Sequence, residues 1–452
     1  MVESIEFGLT KEFRDRFQHA LNERDHAFIK EILAGVNAAD ITALLHEFNS
    51  EESKYVLDLL DIAIRAEIII DLDSDERKSF LKVYQVSELV EIIDQLDSDD
   101  AADVLNELPI KEREEVLAGL DEELRSQVID LLRYAEDVAG GLMAKELIKA
   151  KASWTVVQCI EEIRKQIENV SKFYAVYVVD DRNILLGRVQ LQQLILTDSS
   201  TLVKDIYDPE IISVETYMED TEVASVMQKY DLESVPVVNV YRQLVGRITI
   251  DDVIDVITEQ AEEERQIMSG ISEDVEEDDS IWRQTRARLP WLIIGIVGGL
   301  ISVQFIGLFE GDLLKITAIA FFIPLIQATG GNVGIQSSSI VVQSLANPGF
   351  VDDGFWKRLS KVFVVAVLNG LLLSLLVLGV NLAIGGSGDK LSYIVSFALF
   401  SVVLVASLIG TVTPLVLNKF GFNPALASGP FITTTNDLLG LGIYFLIIHL
   451  ML

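Results

Sequence analysis

The residues best placed to do chemistry lie near the C-terminus. Asp437 ends the run Thr433-Thr-Thr-Asn-Asp437, inside an apolar stretch at about 426–450. It is the one carboxylate deep in such a stretch, and no Lys or Arg sits at a matching depth to pair with it. A charge there costs at least ~2.5–3.5 kcal/mol on insertion scales, so it must meet water, an ion or a polar partner. Pro430 has no N–H to donate, which frees a carbonyl about four residues earlier. Thr433, Thr434 and Thr435 add hydroxyl oxygens. Hard cations take oxygen ligands, and Mg²⁺ keeps several of its waters and needs few carboxylates. The pattern reads as a path for a hydrated divalent cation. One aspartate per chain on a symmetry axis would give two carboxylates, which requires a homodimer. The alternative is an Asp437 bonded to Asn436, Thr434 or another helix. A second polar run, Pro324-Leu-Ile-Gln-Ala-Thr-Gly-Gly-Asn-Val-Gly-Ile-Gln336, also sits in apolar sequence. Its glycines permit close helix approach or a break, and tight packing alone would account for them. Asn332 and Gln336, with Thr434 and Asn436, are the further pore-lining candidates.

These residues need elements to carry them. Five stretches reach the ~20 apolar residues of a spanning helix: about 290–309, 313–346, 362–384, 394–417 and 426–450. Pro290 is expected in the first turn of its helix, where a missing N–H costs little. The second stretch is too long for one crossing and holds a polar, glycine-rich middle. With five crossings, Arg283, Arg286, Arg288, Lys357, Arg358, Lys361 and Lys419 fall on the N-terminal side, and Lys315 and Lys390 fall opposite. The excess of basic residues predicts cytosolic N-terminal domains and a C-terminus outside the cell.

Residues 288–452 carry seven Lys or Arg and six Asp or Glu, so nearly all of the net charge of −34 lies before them. A soluble half that acidic repels itself unless counter-ions bind. It is also a poor nucleic-acid binder. The single Cys159 excludes an intrachain disulfide, and the four histidines show no zinc-ligand spacing. No P-loop and no nucleophile–base set appears, so an enzyme is not expected. Within this half, Phe48-Asn-Ser-Glu-Glu52, Leu72-Asp-Ser-Asp-Glu76, Leu96-Asp-Ser-Asp-Asp100 and Leu120-Asp-Glu-Glu123 recur every 24 residues. Each puts Asn or Asp ahead of an acidic first turn, a helix-start signature, and the period implies a stacked helical repeat. Asp99 and Asp103 share a helix face, where a cation would relieve their repulsion. From about 140 to 260 the pattern turns to two tandem α/β modules. Their strands fall at about 174–179, 185–189, 235–238 and 244–250, and their helices at 156–167 and 222–230. An acidic, helix-prone segment at 259–279 then leads to the membrane.

The module ending Gly246-Arg-Ile-Thr-Ile-Asp-Asp-Val-Ile-Asp255 resembles a CBS domain. The first copy, closing Leu186-Gly-Arg-Val-Gln-Leu-Gln-Gln-Leu194, matches less well. In that family Thr249-x-x-Asp252 matches a pattern that contacts adenosine nucleotides, here ATP. A capped helix start is the alternative reading. Three further motifs are Glu136-Asp-Val-Ala-Gly-Gly-Leu-Met143, Gly330-Gly-Asn-Val-Gly-Ile-Gln336, and Asn423-Pro-Ala-Leu-Ala-Ser-Gly-Pro430 with Asp437-Leu-Leu-Gly440. With them the chain resembles the MgtE family of Mg²⁺ channels and transporters over nearly its whole length.

The resemblance implies a multidomain membrane protein. An acidic all-α helical-repeat domain takes residues 1–137, and an α/β tandem CBS pair takes 138–200 and 201–260. A connecting, plug-type helix takes 261–287, and a five-helix transmembrane domain takes 288–452. It further implies a Mg²⁺-selective channel-type transporter in the plasma or inner membrane. The homodimer would conduct between its membrane domains, with Asp437 binding hydrated Mg²⁺ and Thr433 supplying a carbonyl. Cytosolic Mg²⁺ at Asp99, Asp103, Asp231, Asp252, Asp255, Glu263 and Glu264 would close it. Transport of another divalent cation such as Co²⁺, with the CBS pair sensing nucleotide, is the alternative. Asn423, Gln260 and Thr221 stand where acidic residues are common in the family.

Overall fold

The computed structural model describes residues 8, 10–167, 174–273, 275, 279–346, 354–384, 389–427 and 429–451. Of the acidic segment at 259–279, residues 274 and 276–278 lie outside that set. The chain falls into two compact units, Met1–Ile257 and Thr258–Leu452.

The first unit opens with ten helices: α1 (Lys11–Glu23), α2 (His26–Leu33), α3 (Ala38–Leu45), α4 (Ser50–Leu57), α5 (Ile62–Asp71), α6 (Ser74–Leu81), α7 (Val86–Ile93), α8 (Ser98–Glu107), α9 (Ile110–Gly119) and α10 (Glu122–Leu131). Each 24-residue repeat is two short helices. Asn49 starts α4 with a reciprocal cap, its side chain on the Glu52 N–H and the Glu52 carboxylate on its own N–H. The repeat is also visible in the core. Leu57, Leu81 and Leu105 are spaced by one period, as are Leu45, Ile69 and Ile93, and all six are buried. Alternate helices stack, α3 on α5, α5 on α7 and α7 on α9, so each short helix buries its apolar stripe against a copy of itself.

After the four-residue α11 (Ala139–Leu142) come the two modules. In the first, β1 (Ile148–Lys151) pairs parallel with β2 (Val176–Val179), which pairs antiparallel with β3 (Leu185–Val189). Helix α12 (Val156–Gln166) crosses between β1 and β2, and α13 (Leu191–Leu196) follows β3. The second repeats this with β4 (Val214–Glu215), α14 (Asp220–Tyr230), β5 (Ser234–Val238), β6 (Leu244–Thr249) and α15 (Ile250–Met268). A small apolar cluster of Tyr177, Val179, Leu185, Val238 and Leu244 joins the two.

The acidic segment does not form the one connecting helix expected over 261–287. Helix α15 ends at Met268, and Gly270 follows in a left-handed conformation (φ +82°) that glycine adopts without steric cost. A new helix, α16 (Ile281–Gly307), starts on the side chain of Ser280. Pro290 therefore lies inside α16 and not in its first turn. Residues 281–289 are polar enough to extend the helix ahead of the apolar run, and a proline interruption is tolerated where neighbours satisfy the freed carbonyl.

Beyond α16 lie α17 (Glu310–Lys315), a 3₁₀ turn at Thr317–Phe322, α18 (Ile323–Ala346), α19 (Phe355–Ile384), α20 (Asp389–Lys419), a 3₁₀ turn at Pro424–Ala427 and α21 (Pro430–Met451). Five of these segments are long and apolar enough to cross a membrane. Backbone broken within an apolar layer must find partners, and here it does. The buried Tyr444 hydroxyl donates to the Ile319 carbonyl at 2.8 Å, and the Ser338 hydroxyl to the Ala427 carbonyl at 2.9 Å. Helix α20 is the most enclosed, whereas α16 and α19 turn most of their side chains outward. At the start of α21, Gly429 is left-handed (φ +55°) and touches the end of α15 backbone to backbone. A Cβ there would meet the Met268 carbonyl oxygen at 2.3 Å.

Candidate cation path and regulatory sites

Asp437 sits two turns into α21. Among the described residues its half-buried carboxylate has no hydrogen-bond or ion-pair partner, so the alternative of a bond to Asn436 or Thr434 is not realised. Two bonds hold the turn before it: the Gly429 carbonyl accepts from Thr433 N at 3.1 Å and from its hydroxyl at 3.0 Å. Opposite stands Gly331 of α18. A Cβ on it would lie 3.6 Å from Asp437 Oδ1, an ordinary contact, and a tight 3.2 Å from Thr433 Cγ2. Asn332 and Gln336, one turn apart, lie on the exposed face of α18. The other two candidates turn inward. Thr434 packs its methyl on Gly298 of α16, and Asn436, only 2% exposed, presses its amide on Gly334 of α18. Neither polar atom of the Asn436 amide has a hydrogen-bond partner among the described residues.

In the first unit, acidic side chains gather where α8 meets the modules. The Ser98 hydroxyl donates to Glu146 Oε2 at 2.8 Å and accepts from Lys145 N at 2.9 Å, tying the start of α8 to the strand-leading segment. Next to it, burial first and then Asp100 and Asp252 push Asp99 well above the usual carboxylate range. Burial and Asp252 lift Asp100 to about 7. Asp103 and Asp255 are exposed at the margin of the same group. Two enclosed bases nearby are already taken: Lys145 by Asp130 at 2.7 Å, and Arg77 by both oxygens of Glu107 (3.0 and 2.9 Å) and the Ile70 carbonyl (3.0 Å). The cluster is thus short of positive charge. Among the described residues no three His, Cys, Asp or Glu side chains close around a bare metal. A cation there would be held through its water.

Thr249 and Asp252 cap α15. Thr249 N donates to Asp252 Oδ2 at 3.0 Å, and the hydroxyl lies 2.9 Å from the same oxygen. Neither lines the cavity of the paired modules. That cavity, about 230 Å³, is bounded by the rings of Tyr174, Tyr177 and Tyr230 and by Arg188. Glu210, Asp231 and Glu233 also line it and are exposed. Asp231, expected as a regulatory metal ligand, lines this cavity, and Asp99 and Asp252 do not. Glu263 and Glu264 belong to the other unit. Aromatic walls suit a purine ring. Among the described residues, three carboxylates against one base make this cavity a poor fit for a triphosphate.

Comparison with known proteins bears on all three sites. Residues 323–447 match a family model described as MgtE, divalent cation transporter; residues 36–137 match the MgtE intracellular N domain and 203–259 the CBS domain. The magnesium transporter MgtE of Thermus thermophilus is 34% identical over 446 residues, covering 96% of this chain and 97% of that protein. The chain belongs to the MgtE family. The magnesium transporter MgtE of Enterococcus faecalis is 33% identical over 71% of this chain and 70% of its own length. Two solved structures match the cytosolic part. One is the cytosolic domain of the Mg²⁺ channel MgtE in complex with ATP (TM-score 0.51, 35% identity, 53% of this chain and 98% of that one). The other is the soluble part of a magnesium transporter (TM-score 0.50, 26% identity, 56% and 99%). As an MgtE protein, the chain is a multidomain, multi-pass membrane protein with an intracellular helical domain and a CBS pair.

Several site features escaped the sequence reading of this MgtE chain. The Arg77–Glu107 pair joins residues 30 apart, at an offset no local motif marks. The cavity residues Tyr174, Arg188 and Glu210 come from separate strands and loops, so spacing alone does not group them. Gly298 carries a readable hint, a glycine in an apolar helix, but its contact with Thr434 is visible only in the packed bundle.

Proposed function

We propose that the chain is a Mg²⁺-selective, channel-type transporter that mediates Mg²⁺ uptake as a homodimer and is closed by cytosolic Mg²⁺. The carrying observation is Asp437, a carboxylate in a spanning helix with no described protein partner, beside Thr433 and a glycine that keeps the space before it clear. A hydrated divalent ion offers what such a group lacks, since water donates hydrogen bonds and the ion supplies charge. The curated relatives named above are magnesium transporters, which favours that ion over Co²⁺.

Apolar surface left over on the modules supports the homodimer. Leu191, Ile195 and Leu196 of α13 and Ile254 and Ile257 of α15 are exposed on the last helices of the two modules. We divide the chain at 1–137, 138–200, 201–260, 261–287 and 288–452, with the N-terminal domains in the cytosol and the C-terminus outside. The acidic group around Asp99, Asp103, Asp252 and Asp255 is our regulatory Mg²⁺ site, with Asp231, Glu263 and Glu264 as separate contributors. For Mg²⁺ to close the channel it must bind the closed form more tightly, and mutual repulsion of uncompensated carboxylates provides that difference. The ATP complex of the 35% identical relative supports an adenine ligand for the CBS pair as well.

The test is Mg²⁺ uptake into proteoliposomes. Asp437→Ala should abolish uptake while the protein keeps its thermal stability, and uptake at the wild-type rate would end the permeation proposal. Competing Co²⁺ in the same assay reads the selectivity.

A further inference from the structure

One corner of the membrane half is basic and exposed, and the helix that carries it continues as a bare apolar face. We propose that the start of α19 and the end of α20 bind an anionic phospholipid, with the headgroup on Arg358, Lys361 and Lys419 and an acyl chain along α19. The site lies apart from the ion path and is independent of Asp437.

Three observations carry it. The first is position. Helix α19 ends at Ile384 and α20 begins at Asp389, and the two pack against each other as a hairpin. A Cβ on Gly370 would meet Phe400 Cδ2 at 2.9 Å, midway along both. The first turns of α19 and the last turn of α20 therefore lie at one end. The second is charge. Arg358, Lys361 and Lys419 form no ion pair among the described residues. Residues 347–361 and 418–423 carry these three and Lys357 against Asp352 and Asp353, which lie outside the described set. In a chain of net charge −34, that is a local excess of positive charge. A base at the bilayer surface gains ~1 kcal/mol from anionic lipid. Its alkyl stem lies along apolar surface while the charged head stays in the headgroup layer. Trp356 and Phe420, 78% and 72% exposed, rim the same corner, and an indole such as that of Trp356 favours headgroup depth. The third is the face below the bases. Ala366, Gly370 and Ser374 form the buried stripe of α19, while Val365, Leu368 and Leu372 are exposed. From Lys361 to Leu372 the helix rises ~16 Å, about one leaflet of a ~30 Å hydrocarbon core. A phospholipid matches the charged head and the apolar face together, and a soluble anion matches only the first.

The experiment is native mass spectrometry of the full-length protein in detergent, titrated with phosphatidylglycerol and with phosphatidylcholine of the same acyl chains. Phosphatidylglycerol should bind at least about tenfold more tightly. Arg358→Gln and Lys361→Gln should each weaken it about fivefold, the change that ~1 kcal/mol per base represents, and leave phosphatidylcholine unmoved. Arg358→Lys, which keeps the charge, should keep the preference. Lys390→Gln, at the other end of α20, should change neither lipid. Equal binding of the two lipids overturns the inference, as does a preference unmoved by both Gln variants. Glycerol 3-phosphate competing as well as the lipid would make this a free-phosphate site and overturn it too. A disulfide between two copies of Leu372→Cys, in a Cys159→Ser background, would give the face to a second copy of the chain with the same result. None of these outcomes touches the uptake test of Asp437.

Discussion

Asn436 and Asp437 are neighbours with opposite fates. A helix turns 100° per residue, so one faces open space beside Gly331 and the other is driven into the contact between α21 and α18. There the Asn436 amide lies 1.7 Å from where a Cβ on Gly334 would stand, and a Cβ on Gly410 of α20 would lie 2.4 Å from the Gly334 carbonyl oxygen. Gly334→Ala should therefore cost ~1–3 kcal/mol through overpacking. A thermal unfolding series in detergent would show it, with Gly299→Ala, which meets nothing, as the control. Asp437 was legible in the sequence because a lone charge in an apolar stretch is conspicuous whatever surrounds it. The inward turn of Thr434 and Asn436 was not, since the rotation of a helix apolar on every side is set by its neighbours. The contacts of Gly298 and Gly334 decide it.

Among elements, the helical repeat was the most legible. Its acidic starts share one period, so spacing predicts the helices and their stack, while the side-chain caps form at Asn49 and Asp121 and not at Asp73 or Asp97. The four strands placed from sequence fall within two residues of their expected positions, because alternating β-branched runs have few other ways to fold, whereas β1 and β4 had no expected position. The joint between α15 and α16 was read as a single helix. High helix propensity in the glutamates hides the fact that Gly270 takes a left-handed turn, a requirement that comes from its contact with Pro430. Long-range ion pairs are the least legible elements of all. Arg77 and Glu107, 13% and 8% exposed, join α6 to α8. Arg77→Ala should lower stability by ~3–5 kcal/mol, because it strands a buried carboxylate among other acids. Urea unfolding followed by circular dichroism measures it, and an Arg77→Met, Glu107→Leu double variant should recover most of the loss.

At the scale of the molecule, a net charge of −34 makes protons and divalent ions interchangeable stabilisers of the cytosolic part. Asp99 and Asp100 titrate above the ordinary carboxylate value in the packed state, Asp100 near 7. The packed state thus binds more protons than one in which α8 is released, and its stability falls as pH rises from about 4 toward 7. In EDTA, hydrogen exchange of α8 should speed up as pH climbs through that window, after correction for the intrinsic rate. Added Mg²⁺ should reverse the change at pH 8. A corrected exchange rate flat across pH would remove the acidic group as the sensor.

The backbone contact between Met268 and Gly429 gives this sensitivity a mechanical outlet. The last carbonyl of a 19-residue helix rests directly on the residue whose own carbonyl anchors Thr433, one turn below Asp437. With no side chain interposed, the end of α15 cannot move toward the root of α21 without displacing it. A contact of that kind resists approach and carries no tension, so it would pass on a push from α15 and not a pull.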